Sequence, residues 1–161
     1  MNIYKNIFAT LEKGKIEYLI VGGVAVNLYG YQRFTGDIDI LLFLETQNLR
    51  KTDTLMQQLG YIARLPINIR ELGDKKKLEQ FVREKGLKAY SFLSSVNPPL
   101  IIDVIIDESQ NFQKFNRRKS LIKIWDMTLP VIAIDDLIGM KKKAGRPQDL
   151  IDLEALLKLK E

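Results

Sequence analysis

Two aspartates two positions apart, Asp37 and Asp39, sit at the head of an apolar run, Asp-Ile-Asp-Ile-Leu-Leu-Phe-Leu, that ends at Leu44. In an extended chain residues i and i+2 face the same side, so both carboxylates project together. Their Cα atoms would stand about 6–7 Å apart, within reach of shared metal ions. The flanking Ile38, Ile40, Leu41, Leu42 and Phe43 suit a buried strand. Carboxylates placed there are unfavourable unless positive charge offsets them, and a bound cation is the simplest way to satisfy them.

A third carboxylate, Asp103, stands alone inside the apolar run from Leu100 to Ile106. If its strand lies beside that of Asp37 and Asp39, three carboxylates meet on one face. That oxygen-only ligand set suits Mg²⁺. Two such ions, about 3.5–4 Å apart, would stabilise the attacking and leaving oxygens of a phosphoryl displacement. Without metal the three groups would raise one another's pKa values. Taken singly, each aspartate also reads as a turn or strand-end residue. Upstream, Gly22-Gly23 predicts a tight strand-to-helix turn whose N–H groups could hold an anion.

The rest of the composition narrows the chemistry. The 161 residues contain no cysteine and no histidine, which excludes disulfides, thiolate or Ser-His-Asp nucleophiles, and Cys- or His-ligated metals. Catalysis must rest on Asp, Glu, Lys, Arg, Tyr, Ser or Thr. An apolar share of 46% and a charged share of 28% are those of an ordinary globular domain. No apolar run approaches a membrane span, and the N-terminus lacks a signal-peptide core; cytoplasmic residence without a membrane is the expectation. The net charge of +5 clusters at Lys75–Lys77, Arg117–Lys119 and Lys141–Lys143. Such clusters are either solvated faces or attractors of phosphate.

These residues need elements to carry them. Helical spacing of Ile3, Ile7, Phe8 and Leu11 predicts a helix over Asn2–Lys13. A strand over Glu17–Val21 precedes the Gly pair and a helix over Val24–Leu28. The strand of the paired carboxylates is expected over Asp37–Leu44. Helices follow over Thr46–Leu59 and Asp74–Glu84, capped by Gly60 and Gly86. Further strands are expected over Tyr61–Leu65, Leu87–Leu93, Leu100–Ile106, Arg118–Trp125 and Pro130–Ala133. Asp135–Ala144 forms a helix, Gly145-Arg146-Pro147 breaks it, and a last helix spans Gln148–Lys160. The expectation is one α+β domain over 1–161 with a mixed sheet flanked by helices, a core over 1–134 and a C-terminal helical pair over 135–161.

Gly-Gly, thirteen residues, then Asp-Ile-Asp-Ile resembles the signature of the DNA-polymerase-β-like nucleotidyltransferase superfamily, with Asp103 matching its third carboxylate. Arg33-Phe-Thr-Gly-Asp-Ile-Asp39 is similar to the R-x-T-x-D-x-D form of minimal bacterial members. Leu137 to Leu153, with Lys-Lys-Lys-Ala-Gly-Arg-Pro-Gln-Asp inside it, resembles the last motif of AbiEii-like nucleotidyltransferase toxins. The resemblance implies transfer of an NMP from an NTP to an acceptor hydroxyl. It implies Mg²⁺ (two ions, with Mn²⁺ an alternative) on Asp37, Asp39 and Asp103. It also implies phosphate contacts from Gly22, Gly23 and Lys141. Arg33 and Thr35 would line the nucleotide site or simply shape a loop. Asp149 and Asp152 match the family's terminal aspartates but read equally as helix-end charges or ion-pair partners. Arg146 would pair with them or with substrate.

Larger members add a helical domain that grips the acceptor. Here that task falls to this domain, to the Leu65–Ser95 region, or to a partner subunit or antitoxin. RNA or protein is the favoured acceptor, with a small molecule such as an antibiotic hydroxyl as the alternative. A non-catalytic nucleotide-binding subunit is the rival from another class. The intact trio Asp37, Asp39 and Asp103 argues against it.

Overall fold

Seven strands form one mixed sheet in the computed structural model, which describes residues 2–161. They are β1 (Tyr18–Val21), β2 (Ile38–Leu42), β3 (Ile62–Ala63), β4 (Ala89–Leu93), β5 (Ile101–Ile105), β6 (Ser120–Ile124) and β7 (Met127–Val131). Their order is β3-β4-β5-β2-β1-β7-β6. The β2/β5 and β1/β7 pairs are parallel and the others antiparallel. The helices are α1 (Asn2–Lys13), α2 (Gly22–Leu28), α3 (Thr46–Gln58), α4 (Lys75–Lys85), α5 (Ile106–Ser109), α6 (Phe112–Arg117), α7 (Ile134–Ala144) and α8 (Pro147–Lys160), with a 3₁₀ turn at Ile69–Gly73. This is the expected α+β class. Among the described residues no helix is long and apolar enough to cross a membrane.

Local chemistry sets the element ends. Glu45 accepts from the N–H groups of Gln47 and Asn48 to start α3, and Asp74 does the same for α4 through Lys76 and Lys77. Gly86 and Gly145 end α4 and α7 in the left-handed conformation. Pro147 then opens α8. On α1, Ile7, Phe8 and Leu11 are buried while Ile3 stays exposed, which narrows the expected stripe.

In the two central strands the apolar residues that flank the aspartates are buried or packed against the core, as expected. Ile38, Ile40, Leu41 and Leu42 of β2 are all buried, burial alternates in β5 with Ile102 and Val104 in the core, and Asp39 and Asp103 lie half-buried on the other face. Asp37 precedes β2 rather than lying inside it, and the strand stops at Leu42. The expected strand over Tyr61–Leu65 contracts to two residues. Helices α5 and α6 were not expected. The β6–β7 hairpin turns through Trp125 and Asp126, both at positive φ (53° and 60°), a turn shape that favours glycine or asparagine.

Candidate active site

Strand register assembles the site. Asp39 stands opposite Val21 on β1 and opposite Asp103 on β5, and Asp103 stands opposite Ser91 on β4. Cross-strand partners share a face, so one row crosses four strands. Asp37 joins from the residue before β2, and its carboxyl feels the charge of Asp103. The strand of Asp103 thus lies beside that of Asp39, the adjacency on which the expected convergence depends.

The glycine pair makes room for this row. Gly22 has φ +65°, and a Cβ there would lie 2.2 Å from Asp39 Oδ2. A Cβ on Gly23 would lie 2.5 Å from Thr35 Oγ1 and 3.0 Å from Arg33 Nη2. Both glycines are therefore required by close approach, and Gly22 by backbone conformation as well. Thr35 is pinned in turn: its carbonyl accepts from Tyr4 Oη at 3.1 Å, and its hydroxyl donates to the Asp37 carbonyl at 3.3 Å.

The carboxylates are short of partners. Of the three, only Asp103 accepts a side-chain hydrogen bond among the described residues, from the buried Ser91 hydroxyl. Burial, then the charges of Asp103 and Asp37, push the Asp39 carboxyl up to about 7, although Lys141 and Arg146 pull the other way. Burial and Asp103 also raise Asp37, against the pull of Arg64. Ser91 was missed in the sequence because it hides between Tyr90 and Phe92; only register reveals it.

Among the described residues no three carboxylates already stand in metal-holding geometry, so the ligand set expected from sequence is gathered but not closed. Its chemistry nonetheless fits a hard divalent cation. The donors are all oxygen, like charges crowd together, and one carboxyl is raised by burial and by its carboxylate neighbours.

Beside the row lies a second cluster. Lys141, almost fully buried, reaches Asp149 Oδ1 at 3.2 Å and Asp152 Oδ2 at 2.9 Å. Arg33 grips Asp152 with Nε and Nη2, both at 2.8 Å, and Arg146 Nε meets Asp149 Oδ2 at 2.7 Å. Asp149 and Asp152 are themselves buried. Burial alone would raise both acids, but hydrogen bonds from Arg146 and Lys141 hold Asp149 below its ordinary value, and those from Arg33 and Lys141 do so for Asp152. Lys141 is thus held by two aspartates, not free as the phosphate contact expected of it. Three cations against two carboxylates leave one positive charge facing Asp39.

Asp39, Gly22, Lys141 and Arg146 line a cleft of about 700 Å³ whose apolar wall includes Leu87, Leu137 and Met140. On its rim Lys143 pairs with Asp107 at 2.6 Å. Lys142 is exposed.

A sequence model of the family described as "Nucleotidyl transferase AbiEii toxin, Type IV TA system" matches residues 9–161. No curated protein matches the sequence. Among solved structures, the lincosamide antibiotic adenylyltransferase LnuA superposes with a TM-score of 0.63 at 19% identity, covering 97% of this chain and 95% of its own. The structure of ANT(2")-Ia in complex with adenylyl-2"-tobramycin gives 0.59 at 12% identity, covering 98% of this chain and 87% of its own. A nucleotidyltransferase-like protein from Paracoccidioides brasiliensis gives 0.59 at 12%, covering 98% and 75%. These likenesses establish the fold, and the sequence match establishes the family: the chain is a nucleotidyltransferase of the AbiEii toxin family.

Proposed function

We propose that the protein moves an NMP from an NTP to an acceptor hydroxyl, with Asp37, Asp39 and Asp103 at the reacting centre. The observation that carries this reading is the in-register pair Asp39–Asp103, flanked by Asp37 and short of counter-charge. The acceptor oxygen forms a bond to the α-phosphorus, the bond from that phosphorus to the bridging oxygen breaks, and pyrophosphate leaves. Asp103, oriented by Ser91, takes the hydroxyl proton. Gly22 and Gly23 let the triphosphate come close to the backbone. The Lys141 cluster supplies a fixed positive field beside Asp39, while Arg33, Arg146, Asp149 and Asp152 hold Lys141 in place. Mg²⁺ bound by the three aspartates would neutralise charge on the attacking and leaving oxygens, with Mn²⁺ as a substitute. The remaining contribution is positioning.

RNA or protein is the acceptor this reading favours, in the cytoplasm, as the toxin of a pair whose activity an antitoxin restrains. Residues 1–161 act as one catalytic domain, with 135–161 closing the site through Lys141, Asp149 and Asp152. The test is transfer of label from each α-³²P-NTP in Mg²⁺ to total RNA or soluble protein. Wild type should transfer label, and an Asp37→Ala/Asp39→Ala double variant should fall at least about a thousandfold. Equal transfer by both would refute the assignment.

A further inference from the structure

The in-register row does not end at Ser91. The Arg64 N–H donates to the Ser91 carbonyl at 3.0 Å, continuing the β3–β4 pairing of Ile62 with Leu93 and Ala63 with Phe92. Arg64 therefore stands opposite Ser91 and shares the face of Asp103 and Asp39. Two strand spacings, about 10 Å, separate its Cα from that of Asp103. An arginine side chain and a sugar-sized group span such a gap between them.

Arg64 is exposed, and among the described residues its guanidinium enters no ion pair or side-chain hydrogen bond. Arg33, Lys141 and Arg146, by contrast, are all engaged with Asp149 or Asp152.

The direction of the reaction gives this cation a place. Attacking and leaving oxygens of a phosphoryl transfer lie roughly in line. With the triphosphate at Gly22 and the Lys141 cluster, the hydroxyl must arrive from the Asp103–Ser91 end, where Arg64 waits. We propose that Arg64 binds a phosphate of the acceptor, on the far side of the reacting centre from the triphosphate. This rests on the nucleotidyl-transfer reading above. A guanidinium suits the role because its planar fork meets phosphate oxygens two at a time. Two sources carry that chemistry: the phosphodiester beside the terminal hydroxyl of a nucleic acid, and a small phosphorylated sugar.

The experiment uses the full chain with a non-hydrolysable NTP and Mg²⁺ bound. Its probes are a fluorescein-labelled single-stranded oligoribonucleotide and ribose 5-phosphate. Arg64→Ala should weaken at least one probe about tenfold, and Arg64→Lys should recover part of the loss. For the oligonucleotide, the slope of log affinity against log salt should fall by about one. Lys13→Ala, on the exposed side of α1 against β7, should match wild type. Loss for the oligonucleotide alone assigns a nucleic-acid acceptor, and loss for the sugar phosphate assigns a small one. The proposal is overturned if neither probe distinguishes Arg64→Ala from wild type, or if wild type binds neither. It is equally overturned if Arg64→Ala instead raises the Mg²⁺ needed for NTP binding, since Arg64 would then serve only to offset Asp37. If Arg64→Ala loses a probe but wild type neither binds NTP nor transfers NMP, the phosphate site stands and the nucleotidyl-transfer reading falls.

Discussion

Two groups of aspartates withdrawn from water on either side of one cleft have opposite outcomes. Asp149 and Asp152 are enclosed by Lys141, Arg33 and Arg146, and their carboxyls are held below the ordinary value. Asp37 and Asp39, the latter lining the same cleft as Lys141 and Asp149, have no such hydrogen-bonded partners and are pushed up. Burial works in the same direction in both places; the supply of donors differs. A satisfied cluster holds a fold together, whereas an unsatisfied one is ready for a ligand of opposite charge. The two regions also meet, because the surplus charge of the first is felt by Asp39 in the second.

The contrast can be broken from the satisfied side. Asp152→Ala leaves Arg33 and Lys141 without their shared carboxylate in a buried setting. It should destabilise by about 3–5 kcal/mol in urea unfolding. Lys141→Met should do less, since Asp149 keeps Arg146 and Asp152 keeps Arg33. Equal losses would mean that the cluster is not wired as described.

Gly22→Ala attacks the boundary between the two regions. The left-handed backbone alone costs about 1–2 kcal/mol, and the new methyl must displace Asp39. Transfer should therefore fall further than the loss of stability explains, when compared below the melting transition. Ser91→Ala has the smallest effect. It removes one hydroxyl donor from Asp103 and should lower the transfer rate roughly tenfold with little change in NTP affinity. A change confined to melting temperature would make Ser91 a packing residue only.

Much of the positioning was legible in the sequence, for reasons that can be stated. The ends of α1 and α8 follow from amphipathic spacing and from Pro147. The three aspartates and the Gly pair stand out because each is a polar or flexible residue in an apolar run. Three things were not legible. Strand order and register are long-range, so Ser91 and Arg64 could not be placed beside Asp103. Burial of Asp149 and Asp152 depends on partners more than a hundred residues away in the case of Arg33. The Lys141 ammonium, read as a phosphate contact, proved to be held by those same acids.

The central claim, that the carboxylate row is raised by burial and mutual repulsion with too few donors of the protein's own to offset them, has a direct test in stability against pH. Asp39 has a folded-state value of about 7 against an ordinary 3.8. The native protein thus holds a proton that the unfolded chain gives up between those values. Stability should fall as pH rises through that window and level off above it. The cluster acids contribute the opposite slope, since their stabilisation is full above the ordinary carboxylate range and is lost only at lower pH. Urea unfolding between pH 5 and 8 (roughly the span in which Asp39 titrates and the cluster does not) isolates the row. Wild type should lose stability with rising pH, Asp39→Asn should flatten the slope, and Mg²⁺ with an NTP should flatten it in wild type. Identical slopes in both proteins, untouched by Mg²⁺ and NTP, would contradict the claim.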